Sequence, residues 1–208
     1  MSDSTPDVSP TSLADLVGED RILDPAIRPL WDGMPRVTGP AYAVRCAPGD
    51  NLMMHTAIYR AEPGSVIVVD SGGARLAVAG GNVCAVAQLR GIAAFVVDGY
   101  IRDLEEVREM GFPVFARGVF PKPGGKNVVL PQGDTVVGGV TIRTGDVVVA
   151  DEEGIVVLEA AHAPELLRAA EDREDAEAGQ SLDDWEQAHR RKIQAGLVAG
   201  GDTGGLPD

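Results

Sequence analysis

The run Ile92–Val97 is apolar at all six positions, closed off by Gly91 on one side and by Asp98-Gly99 on the other. A segment this short and this uniformly apolar reads as a central strand covered on both faces, so the chain must lay helices or further sheet against each side of it. The flanking segments have the right patterns. Ala41–Cys46 reads as extended, Asp50 can cap a helix over Asn51–Ala61, and Pro63-Gly64 turns the chain into a strand over Ser65–Val69. Alanines and valines at helical spacing run from Asn82 to Arg90 and stop at Gly91. Leu104–Met110 reads as a helix ended by Gly111, and Pro113–Ala116 as the next strand. Strand and helix alternate, which predicts an α/β fold: one compact domain with a central sheet flanked by helices.

Outside this centre, Thr11 or Ser12 is expected to cap a helix over Leu13–Val17, and a second short helix to follow Asp24, with Pro25 at its first position, and end at Gly33. Further strands are expected at Val128–Leu130, Val136–Ile142, Asp146–Ala150 and Gly154–Leu158, with helix from Ala163 onward. The domain boundaries follow: a disordered lead-in over 1–10, the domain over 11–178, a C-terminal helix over 179–199 and a flexible tail over 200–208.

Charge and composition exclude several classes of function. With 18 Lys/Arg against 32 Asp/Glu, the net charge of −14 repels a nucleic-acid backbone, so no nucleic-acid partner is expected. No apolar run approaches the roughly 20 residues of a membrane span, and MSDSTPDVSP lacks a basic-then-apolar signal pattern. The expectation is a cytoplasmic protein with no membrane partner. Cys46 and Cys84 lie in apolar segments without C-x-x-C spacing and read as buried thiols with no chemistry. His55, among Met53, Met54 and Ile58, reads as packed or supporting; His162 and His189 read as exposed. Ten acids in 159–186 make that region mainly a solvated face.

Chemistry points to one place. Ligands of sheets fed by helices bind beyond the carboxyl ends of strands, and the strand Ile92–Val97 leads through Asp98-Gly99 to Arg102 and Asp103. Arg presents a planar fork suited to a carboxylate, and Asp a hard oxygen suited to Mg²⁺. Gly80-Gly81 opens a helix whose first amides, at Asn82 and Val83, form a cradle for a small anion; a turn needing positive φ is the alternative for these glycines.

The stretch GGNVCAVAQLRGIAAFVVDGYIRDLEEVREMGFPVFARG, with GPAYAVRCAPGDNL upstream and GGVTIRTGDVVVADEEGIVVL downstream, resembles the family of the ribonuclease-activity regulator A and the class II 4-hydroxy-4-methyl-2-oxoglutarate aldolases, over roughly residues 35–175. The resemblance implies a swivelling β/β/α domain, assembled as a homotrimer or a dimer of trimers with sites between subunits. It implies that Arg102 binds the carboxylate of pyruvate and Asp103 holds Mg²⁺, Mn²⁺ or another divalent ion. It further implies that the amides of Gly80, Gly81, Asn82 and Val83 hold the substrate, so that Arg102 and Asp103 are the expected catalytic pair. A proton-transfer glutamate is implied from the neighbouring C-terminal region, where Glu174 and Glu177 lie.

Gly81 departs from that pattern, since the lyases of the family carry Asp or Glu twenty-one positions before the arginine. Asn82 can orient a water but cannot act as a base, and Asp70 is a second candidate replacement, although a strand-end Asp also serves as a turn residue. The expected function is a metal-dependent carbon–carbon lyase acting on a pyruvate-containing oxo-acid, with oxaloacetate decarboxylation using the same electron sink. A non-enzymatic interaction protein of the regulator type, or an enzyme of this fold with a different oxo-acid, are the alternatives.

Overall fold

In the computed structural model, which describes residues 6–202 and 204–206, the uniformly apolar run divides its side chains between two cores. Phe95 and Val97 enter one buried cluster with Val44, Ile67 and Val69, while Ala94 and Val96 enter another with Ala41, Val66 and Val68. This is the period-2 alternation of strands covered on both faces. Within the first cluster Phe95 and Phe112 meet edge to face, with ring centroids 4.8 Å apart.

The strands are β1 (Arg28–Pro29), β2 (Val37–Arg45), β3 (Val66–Asp70), β4 (Ala77–Ala79), β5 (Ala94–Ile101), β6 (Val114–Val119), β7 (Thr135–Val137), β8 (Val140–Ile142), β9 (Val147–Ala150) and β10 (Ile155–Leu158). The helices are α1 (Pro10–Ala14), α2 (Leu52–Arg60), α3 (Gly81–Leu89), α4 (Leu104–Glu109), α5 (Ala163–Ala178) and α6 (Leu182–Ala199). The main sheet runs β1-β6-β5-β3-β2-β9-β10, and β4 adds to β5. Its middle, β6, β5, β3 and β2, is parallel; β1, β9 and β10 pair antiparallel. The expected mixed α/β architecture with a helix-flanked sheet is the one observed, and β7 and β8 form a separate hairpin.

Residues up to Glu171 form one compact unit. A second unit, from Asp172 on, holds the end of α5 and α6; Ser181 caps α6 by accepting from the Asp184 amide at 3.2 Å, and Trp185 stacks on His189. Among the described residues no helix is long and apolar enough to cross a membrane.

Several local expectations are corrected. α1 starts at Pro10, because Ser9 accepts from the Ser12 amide at 3.1 Å and Pro suits a first helical turn. No helix follows Asp24: its Oδ1 accepts from the Ala26 amide at 2.9 Å, closing a turn that feeds β1. Val128–Leu130 is not a strand. β4 was not foreseen. β5 does not end at Asp98-Gly99 but continues to Ile101, because Asp98 accepts from Arg117 and from the Gly138 amide, while Gly99 faces Ser71 too closely to carry a Cβ. Val8, within the lead-in expected to be disordered, is buried against the cluster containing Leu13 and Leu158; residues 1–5 lie outside the described residues. In the expected tail, the Leu206 amide donates to Gln194 Oε1 at 3.1 Å, and 203, 207 and 208 lie outside the described residues.

Candidate active site

β4 is only three residues long, yet it builds the site. Ala77 pairs with Tyr100 and Ala79 with Ile101, and the Arg102 amide donates to the Ala79 carbonyl at 3.0 Å. The chain therefore enters α3 at Gly80 beside the point where it leaves β5 at Arg102. A Cβ at Gly80 would strike Asp103 Oδ2 and lie 2.9 Å from Arg102 Cγ, so any larger residue there displaces those two side chains.

Asp103 has φ 58° and ψ 41°, the one left-handed residue other than glycine among the described residues. Asp tolerates this region better than most residues, at a cost of roughly 1–2 kcal/mol. The conformation turns its carboxylate back toward α3. Oδ2 accepts from the Gly81 amide at 3.1 Å and lies 3.4 Å from Arg102 Nε. In α3 the Cys84 amide closes onto the Gly80 carbonyl at 3.0 Å, so the amides of Asn82 and Val83 have no partner within the helix. Gly80 and Gly81 both lack positive φ, so the turn alternative for these glycines falls; close packing is what requires them.

Arg102, Asp103, Gly80, Asn82 and Val83 line a cleft of about 60 Å³ together with Asn51, His55 and Lys126. Asn51 and Lys126 were missed in the sequence, where His55 was read as packed or supporting. Lys126 sits on a loop fastened at both sides: Asp50 Oδ2 accepts from the Asn127 amide at 2.6 Å, the Asn51 amide donates to the Gly125 carbonyl at 2.7 Å, and the Gly124 amide to the Ala77 carbonyl at 3.0 Å. Asn51 is 2% exposed, and its Oδ1 has no hydrogen-bond partner among the described residues. The spacing of Asn51, which precedes α2, and His55, one turn into it, was the one signal available for this wall.

Electrostatically the cleft brings two cations, Arg102 and Lys126, to one carboxylate and one imidazole. Burial, aided by the charge of Lys126, holds His55 below the usual histidine range; the backbone at Val78 pulls weakly the other way. His55 is therefore neutral at pH 7. Both thiols are inert as expected: burial pushes Cys46 up to about 11, and burial with the nearby charge of Asp103 pushes Cys84 up to about 12.

Asp70 Oδ1 accepts from the Gly72 amide at 2.8 Å, a turn role, and Asp70 does not line the cleft. Glu177 pairs with Arg173 at 3.0 Å within α5. His162 and His189 are exposed. A larger groove of about 500 Å³ is lined by Pro40, Val147, Ala163 and Leu167 among others, with Arg168 and Glu171 as its charged residues, and contains none of the expected site residues.

The fold and this cleft define a class that the comparisons name: residues 5–157 match the RraA-like, aldolase/RraA family model, and the chain belongs to that family. It is 38% identical over 169 residues, 79% of each chain, to a Halalkalibacterium halodurans protein provisionally named 4-hydroxy-4-methyl-2-oxoglutarate aldolase. It is also similar to Streptomyces coelicolor RraAS2, described as an unusual member of the RNase ES inhibitor RraA family. That structure matches with a TM-score of 0.72 and 30% identity, covering 82% of this chain and 90% of the other. The RNA-processing inhibitor RraA of Thermus thermophilis matches with a TM-score of 0.64 at 31% identity, covering 76% and 93%.

Proposed function

We propose that this chain is a divalent-metal-dependent carbon–carbon lyase acting on an oxo-acid with a pyruvate moiety, of the 4-hydroxy-4-methyl-2-oxoglutarate or oxaloacetate type. The observation that carries the reading is the meeting of the Arg102 fork, the Asp103 carboxylate and the Asn82 and Val83 amides, which have no partner within α3, at one cleft. The provisional name of the 38% identical relative agrees with it.

The donor set suits a hard ion that keeps most of its waters. No group of three or more His, Cys, Asp or Glu able to hold a metal occurs among the described residues, but Asp103 and the orphaned Asn51 Oδ1 are hard oxygens at the same cleft. Mg²⁺ characteristically binds through one or two carboxylates and several waters. Asp103 would hold it, and when bound it would draw off the negative charge that develops on the keto oxygen as the adjacent carbon–carbon bond breaks. Arg102 grips the pyruvate carboxylate. The Asn82 and Val83 amides, at the positive end of α3, donate to substrate oxygens. Lys126 adds a second positive charge, which favours substrates with two carboxylates over pyruvate esters. We further take the assembly to be a trimer or a dimer of trimers; light scattering giving a monomer at micromolar concentration would remove shared sites from this reading.

The test is turnover of oxaloacetate and 4-hydroxy-4-methyl-2-oxoglutarate with Mg²⁺ or Mn²⁺ and with EDTA. Metal-dependent turnover of either supports the lyase; inert, properly folded protein with every metal overturns it. The second reading, a regulator of ribonuclease activity, draws on the titles of the Streptomyces and Thermus relatives. Inhibition of a ribonuclease by protein without lyase activity would favour it.

A further inference from the structure

We infer that α6 is a self-association surface: two copies of this chain pair through the Trp185 sides of their α6 helices, which run antiparallel. α6 is 18 residues long, yet it buries none of them. Helices in proteins owe most of their stability to packing one amphipathic face. α6 has such a face. Leu182, Trp185, His189, Ile193 and Gly196 follow one another at steps of three or four residues, so they share one side of the helix. Leu182 is 78% exposed and Trp185 49%, and the Trp185 and His189 rings stack with centroids 4.6 Å apart. Among the described C-terminal residues, Leu206 reaches the other side: its amide bonds Gln194, which lies nine residues beyond Trp185 and so on the opposite face.

The charges of α6 identify the occupant of that face as a second copy. The whole chain carries −14 and repels its like, but α6 is neutral: Asp183, Asp184 and Glu186 precede and balance Arg190, Arg191 and Lys192. Antiparallel pairing lays the acidic block of each helix along the basic block of the other, whereas parallel pairing lays like charge on like. The apolar residues are self-complementary about His189, as a two-fold contact requires. A crossing there sets Trp185 of each copy opposite Ile193 of the other. It also sets Leu182 opposite Gly196, where a Cβ meets nothing within 4 Å and a large side chain has room. Such pairing uses copies in twos, so of the two assemblies considered above it selects the dimer of trimers. It does not depend on the lyase reading.

Light scattering of the full-length protein at micromolar concentration reads the pairing as particle mass. Wild type should hold an even number of copies, and Trp185→Asp should have half its mass. A chain with α6 made basic (Asp183→Lys, Asp184→Lys, Glu186→Lys) and one with α6 made acidic (Arg190→Glu, Arg191→Glu, Lys192→Glu) should each show the half mass. An equal mixture of the two should regain the full mass, which misfolded variants could not do. Disulfides read the orientation. Leu182→Cys with Gly196→Cys in one chain should cross-link two copies on mild oxidation, and neither single variant should, because Cys46 and Cys84 are buried. A cross-link in Leu182→Cys alone would mean parallel helices and overturn the inference. So would wild-type mass in Trp185→Asp, a mixture that stays at half mass, or an odd number of copies in wild type. A fall to one third would place α6 against a neighbour within one trimer, and the inference would fail equally.

Discussion

Gly81 and Asp103, 22 residues apart, are joined by a 3.1 Å hydrogen bond from the glycine amide to Asp103 Oδ2, and the left-handed backbone of Asp103 makes that bond possible. Asn tolerates the same backbone region and can accept the same bond. Asp103→Asn should therefore leave stability within about 0.5 kcal/mol of wild type in denaturant unfolding. It should nevertheless lower oxaloacetate turnover by at least about two orders of magnitude, the scale for removing a key electrostatic group. Equal losses in stability and rate would make Asp103 a structural residue.

Gly80→Ala places a methyl group against Asp103 Oδ2 and Arg102 Cγ. The expected outcome is a folded protein whose lyase rate falls about 100-fold, because a displacement of about 1 Å at a reacting group costs that much. Circular dichroism and steady-state rates measured on one preparation decide it.

Arg102→Lys exchanges a fork for a point charge. Oxalate or pyruvate binding should weaken by roughly 1–3 kcal/mol by calorimetry. Unchanged affinity would reassign Arg102 to holding Asp103.

His55 titrates below its ordinary value of about 6.5 because of burial, with Lys126 adding to the shift. The unfolded chain takes up this proton at higher pH than the folded one does. His55 therefore causes stability to fall as pH drops below about 6.5, with the loss ending once the folded pKa is passed. His55→Gln should flatten the melting temperature between pH 7 and 5. In Lys126→Met the His55 ring resonances should titrate at higher pH than in wild type; an unmoved midpoint would separate Lys126 from this cleft.

Much of the centre was readable because its causes are local. Short uninterrupted apolar runs bounded by turn residues placed β3 and β5, and Gly91 and Gly111 marked the ends of α3 and α4 within a residue or two. The Arg102-Asp103 pair after a buried strand, and a helix opened by glycines, pointed to the right loop for the same reason. The fate of Asp98 shows the limit. Asp-Gly reads locally as a turn, but Arg117 and the Gly138 amide, 19 and 40 residues away, keep it within the strand.

The sequence by itself determined the alternation of strand and helix, the glycine opening of α3, and the arginine and aspartate just after β5. Tertiary structure alone decided that Asn51, His55 and Lys126 line one cleft with Arg102 and Asp103. The pairing of β4 with β5 brings Gly80 beside Arg102, and Asp50 holds the Lys126 loop through a bond spanning 77 residues. Neither leaves a local pattern, because hydrogen bonds and packing between distant segments depend on where the sheet places them and not on the spacing of residue types along the chain.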